Sequence, residues 1–161
     1  MTTAEFNQCV DACADGVYRF VLKNLRDEDK ARDVVQDSFE KLWIKAEEIP
    51  REKAKSYLFT TAYHGMIDQI RRDKFSAGLD EAALNSRQID HSYSDLRDVL
   101  NRGLEKLPEI QRSVLLLRDY EGYAYREIGE ICGLNESQVK VYIYRARMFL
   151  KQYIGSMDVV I

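Results

Sequence analysis

Apolar residues along this chain recur at intervals of three and four, and the clearest case runs from Glu28 to Glu48. There Ala31, Val34, Val35, Ser38, Phe39, Leu42, Trp43 and Ala46 trace one stripe, which predicts a helix with that face buried and an end at Pro50. Looser helical spacing over residues 4–25 (Phe6, Val10, Val17, Phe20, Val21, Leu25) predicts a helix before it, with Gly16 as its weak point. A third helix is expected over roughly Lys53–Lys74, with Tyr57, Leu58, Thr61, Ala62, Gly65, Met66 and Ile70 inward.

Residues 76–95, "SAGLDEAALNSRQIDHSYSD", break this pattern. They are small, polar and net acidic, with too few apolar positions for a core, and read as a flexible linker. Periodicity returns at Leu96, Val99, Leu100, Gly103, Leu104 and Leu107 before Pro108, and a helix over roughly Glu109–Tyr120 follows. The expected fold is all-α: one small helical domain over residues 1–75, the linker over 76–95, and a second helical domain over 96–161.

The second domain contains "GEICGLNESQVKVYIYRAR", residues 129–147, which has the layout of a helix-turn-helix. Ile128 and Ile131 close the first helix on its buried side, and Gly133 stands where a left-handed residue commonly ends a helix. Asn135 suits the cap of the second helix, with Gln138 placed to return the bond. Val139, Ile143, Ala146 and Leu150 then fix its buried face. Gln138, Lys140, Val141, Tyr142, Tyr144, Arg145 and Arg147 must project elsewhere. Amide and basic groups for base edges and phosphates, beside apolar groups for thymine methyls, suit a helix lying in a DNA major groove.

Composition narrows the classes. The chain has 161 residues, 32% charged and 45% hydrophobic, as a soluble globular protein does. A formal net charge of −3 means that any nucleic-acid contact must come from local patches. No basic n-region precedes an apolar core at the N-terminus, and no apolar run has the length of a membrane span, so a cytoplasmic location is expected. Three cysteines, Cys9, Cys13 and Cys132, fit a reducing compartment better than a disulfide framework. Cys9 and Cys13 share a helix face, but no second ligand pair accompanies them, and no metal or cofactor is expected. With two histidines, no Ser/His/Asp grouping and no glycine-rich phosphate loop, the chain is not expected to be an enzyme.

A family resemblance joins the two halves. Leu107-Pro108, Arg112, Val114–Leu117, Tyr125/Glu127/Ile128, Gly133, Val139-Lys140 and Arg145-Ala146-Arg147 resemble region 4 of extracytoplasmic-function RNA polymerase sigma factors. "ARDVVQDSFEKLW" and "SYLFTTAYHGMIDQIRR" are similar to region 2 of the same family. The resemblance implies a factor that binds core RNA polymerase, through the β′ clamp helices and the β subunit, and directs it to promoter DNA. Asp33, Gln36, Asp37, Phe39 and Glu40 would then dock on the polymerase. Arg51, Lys53, Lys55, Arg71, Arg72 and Lys74 would hold phosphates around the −10 element, with Tyr63 and His64 offering rings to an unpaired base. The helix-turn-helix would read the −35 element. An anti-sigma factor, often membrane-anchored in the family, is the further partner implied, with no direct membrane contact by this chain.

The sequence departs from the family pattern at Tyr142, where arginine is common, and at Tyr57 and Tyr63-His64. Promoter preference therefore cannot be carried over. A helix-turn-helix regulator that binds DNA without polymerase is the rival reading, and it leaves the region 2 pattern without a purpose.

Overall fold

The computed structural model describes residues 1–77 and 96–156. The expected linker beyond Ala77 and the last five positions lie outside the described residues, whose regular elements are all helices, with no strand among them.

Helix α1, Thr3–Leu25, starts where the Thr2 hydroxyl accepts from the Glu5 N–H at 3.1 Å. It ends at Arg26, whose φ of 57° is left-handed and whose N–H donates to Leu22 O at 2.7 Å. Helix α2, Glu28–Ile44, follows at once, capped by Asp27 Oδ1 accepting from Lys30 N–H at 3.1 Å. Helix α3, Arg51–Ala77, is the longest and includes Ser76 and Ala77. The three pack on one another through Val17, Phe20, Val21, Ala31, Val34, Leu42, Leu58, Phe59, Ala62 and Met66, all buried. Trp43 is not among them: it is 51% exposed, its ring edge-on to Phe6 at 4.9 Å. Apolar spacing marks the side of a helix but cannot say where its neighbours stop.

Helices α4, Leu96–Lys106, and α5, Glu109–Leu115, open the second domain. The single helix expected over Glu109–Tyr120 changes character at Leu116, where a π-helical turn, Leu116–Tyr120, begins. Its signature is the Glu121 N–H donating to Leu116 O, five residues back, at 3.1 Å. Helices α6, Tyr125–Cys132, and α7, Glu136–Gly155, complete the chain.

Linked modules need not touch, yet these pack into one continuous core. Phe59 of α3 meets Phe20 at 5.8 Å and Tyr123, beyond the π turn, at 5.2 Å between ring centroids. Burying an aromatic ring of this kind contributes about 1.5–3 kcal/mol. Beside the rings lies a buried polar node: Asn24 Oδ1 accepts from Arg112 Nε at 2.7 Å, and the same guanidinium faces Leu104 O and Leu107 O. Ion pairs ring the contact. Arg19 forks onto Glu121 with bonds of 2.8–3.0 Å, and Arg26 reaches Glu105 at 2.8 Å.

Candidate nucleic-acid and polymerase interfaces

The turn between α6 and α7 is built as the spacing predicts. Gly133 takes φ 71° and ψ 39°, and the Leu134 N–H donates to Gly129 O at 2.9 Å. Gly129 is needed for close approach, because a Cβ there would stand 2.5 Å from Leu134 O. Helix α7 is capped reciprocally: Gln138 N–H donates to Asn135 Oδ1 at 2.8 Å, and Asn135 N–H to Gln138 Oε1 at 3.0 Å. Val139, Ile143 and Ala146 are buried and hold α7 in place.

On the opposite side Gln138, Lys140, Val141, Tyr144, Arg145 and Arg147 are exposed, while Tyr142 is half-buried against the core. Gln138, Val141, Tyr142 and Arg145 surround one shallow cleft that also takes in Asn135 and Ser137, two polar residues not expected at the interface from the sequence. Ser137 stands two positions after the Asn135 cap, so its place in the first turn of the helix was legible from the sequence. The basic residues differ in freedom. Arg147 forks onto Asp119 at 2.6 and 3.2 Å, and those bonds raise its already high pKa. Lys140 is 3.8 Å from Glu136 and lies over the Tyr125 ring, which Arg118 also covers at 4.3 Å. Arg147 thus anchors α7 to the π turn, whereas Lys140 and Arg145 face outward.

On α2, Asp33, Gln36, Asp37 and Glu40 are exposed along one face. Phe39 is half-buried and packs on the core, so only part of its ring is offered outward. Ile44, 78% exposed, continues the same face one turn beyond Glu40 and was missed in the sequence. Extending the helical period from Asp33 and Asp37 to the end of α2 would have found it.

The basic residues of α3 do not form one cluster. Arg51, Lys53 and Lys55 stand at its start and Arg71, Arg72 and Lys74 near its end, roughly 30 Å away at 1.5 Å per residue. All six are exposed, as is His64, but Lys55 lies over the Tyr123 ring at 4.9 Å. Tyr63 is buried, 7% exposed, beside Glu109 and Cys132 of the second domain, and burial pushes its hydroxyl far above the usual tyrosine range. In this arrangement Tyr63 offers no ring to a DNA strand.

The thiols do not form a reactive centre. Cys9 and Cys13 sulfurs lie 3.9 Å apart, and burial pushes the Cys9 thiol up to about 11 and Cys132 to about 12, so both stay protonated at neutral pH. Among the described residues no three His, Cys, Asp or Glu side chains converge as metal ligands. No described helix is long and apolar enough to cross a membrane.

Two models of one family match the chain: Sigma-70 region 2 over residues 9–75 and Sigma-70 region 4 over residues 97–150. Among curated proteins it is similar to the extracytoplasmic-function sigma factor SigM of Bacillus subtilis, 28% identical over 140 residues, spanning 84% of this chain and 86% of SigM. It is likewise 28% identical to the sigma factor SigV of the same organism, over 93% of this chain and 91% of SigV. Among solved structures the fold resembles sigma factor RpoE of Bartonella quintana in complex with the anti-sigma factor NepR. That match has a TM-score of 0.76 at 24% identity and covers 94% of this chain and 97% of RpoE. CnrH in complex with the cytosolic domain of CnrY matches with a TM-score of 0.69 at 23% identity, over 94% and 88% of the two chains. A polymerase-independent regulator does not account for region 2, and that reading is set aside. With both regions present in order and relatives matched over most of their length, the chain belongs to the sigma-70 family, in its extracytoplasmic-function group, and is a non-enzymatic factor that binds core RNA polymerase and directs promoter-specific transcription initiation.

Proposed function

We propose a division of labour among three helix faces. The α2 face of Asp33, Gln36, Asp37 and Glu40, extended by Ile44, docks on the β′ clamp helices of core polymerase. The basic ends of α3, with His64, engage the −10 element, and Tyr63 joins them only where the second domain no longer covers it. Helix α7 enters the major groove of the −35 element. The supporting observation is α7 itself: a capped helix whose buried face is fully used and whose outward face gathers Gln138, Val141 and Arg145 around one cleft.

The cap also bears on what Gln138 reads. A backbone N–H can only donate, so the Gln138 atom facing Asn135 N–H is the carbonyl oxygen. Its NH2 group is what remains for a base, and it can donate to a base-edge acceptor such as O6 or N7 of guanine. Gln138→Glu keeps an oxygen for the cap and replaces the donor with an acceptor. In selection from randomised −35 duplexes with the polymerase-bound protein, the variant is expected to abandon guanine at one position. An unchanged preference would take Gln138 off the base edge.

The proteins bound to RpoE and CnrH support an anti-sigma factor as this chain's regulator, with a membrane anchor, if present, on that partner. A polymerase partner implies a cytoplasmic location. The −10 and −35 assignments require no cofactor.

A further inference from the structure

The sulfurs of Cys9 and Cys13, one turn apart on α1, converge to 3.9 Å. Side chains four positions apart share a helix face with their Cβ atoms about 5–6 Å from each other, so the two thiols lean together. Two thiolates on one metal ion, each at ~2.3 Å, stand about 3.8 Å apart at a tetrahedral angle and about 4.6 Å apart in line. At 3.9 Å the pair needs little rearrangement to hold an ion between its sulfurs. Cys13 is buried, while Cys9 is half-buried and keeps a path to solvent.

The sequence offered this pair no companion, but the fold supplies one. Tyr123 of the second domain is 5% exposed, and its hydroxyl is buried without a hydrogen-bond partner. Native structures rarely leave a buried hydroxyl in that state. Burial pushes this hydroxyl far above the usual tyrosine range, and Cys13 adds most after burial, followed by Glu127, Glu121 and Cys9. The phenol therefore lies within electrostatic reach of both sulfurs and keeps its proton to donate. Glu121 and Glu127 are engaged elsewhere, by Arg19 and by the Ala124 N–H. Positive charge stands close by: Lys55 lies over the Tyr123 ring at 4.9 Å. Burial and then Cys13 hold the Cys9 thiol up, and Arg51 pulls the other way, toward thiolate.

The donor set selects the ion. Structural zinc takes four ligands, and no three His, Cys, Asp or Glu side chains gather among the described residues. Hard cations prefer oxygen, whereas thiolates select soft Cu(I). A monovalent ion between two thiolates leaves one net negative charge, which Arg51 and Lys55 oppose. We propose that Cys9 and Cys13 form a two-sulfur site for Cu(I), with the Tyr123 hydroxyl as the hydrogen-bond donor that steadies the bound thiolates. On binding, two S–H bonds give way to two Cu–S bonds and both protons pass to solvent. Copper stays Cu(I), and nothing is oxidised. A thiol sulfur is a weak acceptor, so the Tyr123 O–H gains a strong partner only when the ion turns thiol into thiolate.

The test titrates the full chain anaerobically with Cu(I) held by the coloured chelator bicinchoninate. Chelator colour gives stoichiometry and affinity, near-ultraviolet absorption reports sulfur-to-copper charge transfer, and X-ray absorption gives the bond lengths. The unaltered chain and Cys132→Ser are expected to take up one ion each, bound by two sulfurs at ~2.2–2.3 Å. Cys9→Ser and Cys13→Ala, the latter chosen to keep an apolar side chain in the core, are each expected to lose about a hundredfold in affinity, together with the charge-transfer band. Tyr123→Phe should keep both sulfurs and the stoichiometry but bind about tenfold more weakly, as the loss of one charge-assisted hydrogen bond requires. Failure of the unaltered chain to draw Cu(I) from the chelator would overturn the site. So would uptake that survives both Cys9→Ser and Cys13→Ala, or that Cys132→Ser abolishes. Full affinity in Tyr123→Phe would overturn the role given to the hydroxyl.

Discussion

Arg112 of α5 donates its Nε hydrogen to Oδ1 of Asn24 of α1 at 2.7 Å, across 88 positions of sequence, with both side chains buried. The acceptor is an amide, so the guanidinium keeps its charge in a partly dehydrated place, and burial is what lowers its pKa. Asn24→Ala removes that acceptor and leaves a buried donor unpaired. The expected loss is about 2 kcal/mol, which at roughly 2–4 °C per kcal/mol for a chain of this size lowers Tm by about 4–8 °C. Calorimetry checks it, and an unchanged Tm would mean that the node does not form in solution.

This node also shows what the sequence could not convey. Helix faces, the Asn135–Gln138 cap and the left-handed Gly133 are local, set by residues within one or two turns, and each was legible. Tyr63, Trp43 and Asn24 owe their environments to elements far along the chain. Periodicity is the same whether Tyr63 meets solvent, DNA or Cys132, and only the packing of the second domain decides. The π turn was hidden for another reason: Leu116–Tyr120 reads as ordinary helix by composition, and its extra residue follows from seating Tyr120 and Glu121 on α1.

Gly129→Ala probes the helix-turn-helix. The added methyl would meet a backbone oxygen, Leu134 O, which no side-chain rotation can relieve. A loss of about 1–3 kcal/mol is expected from such overpacking, together with a weakened −35 footprint. A variant as stable as the parent would show that α6 and α7 are not this close.

Asp33→Ala with Gln36→Ala tests polymerase docking. Both side chains are exposed, so Tm should stay within the equivalent of about 0.5 kcal/mol. Affinity for core polymerase, measured by fluorescence titration, is expected to fall by about tenfold, or ~1.4 kcal/mol. Unchanged affinity would remove α2 from the interface.

Lys140→Ala with Arg145→Ala should lower −35 duplex affinity and flatten its salt dependence by about 2 in log–log slope, because each side chain neutralises one phosphate. Arg147 should behave differently because Asp119 holds it. Asp119→Asn weakens that hold, and a several-fold gain in duplex affinity is expected as Arg147 turns outward. A fall in affinity would instead mark Arg147 purely as the anchor of α7.

The most direct measurement is multi-round transcription with the purified chain, bacterial core RNA polymerase and a library of genomic fragments, with RNA 5′ ends sequenced. The result expected is a set of discrete start sites that depend on the chain and share two upstream elements, one for α3 and one for α7. Start sites that are the same with and without the chain, or that share no upstream sequence, would contradict its assignment as a promoter-specific initiation factor.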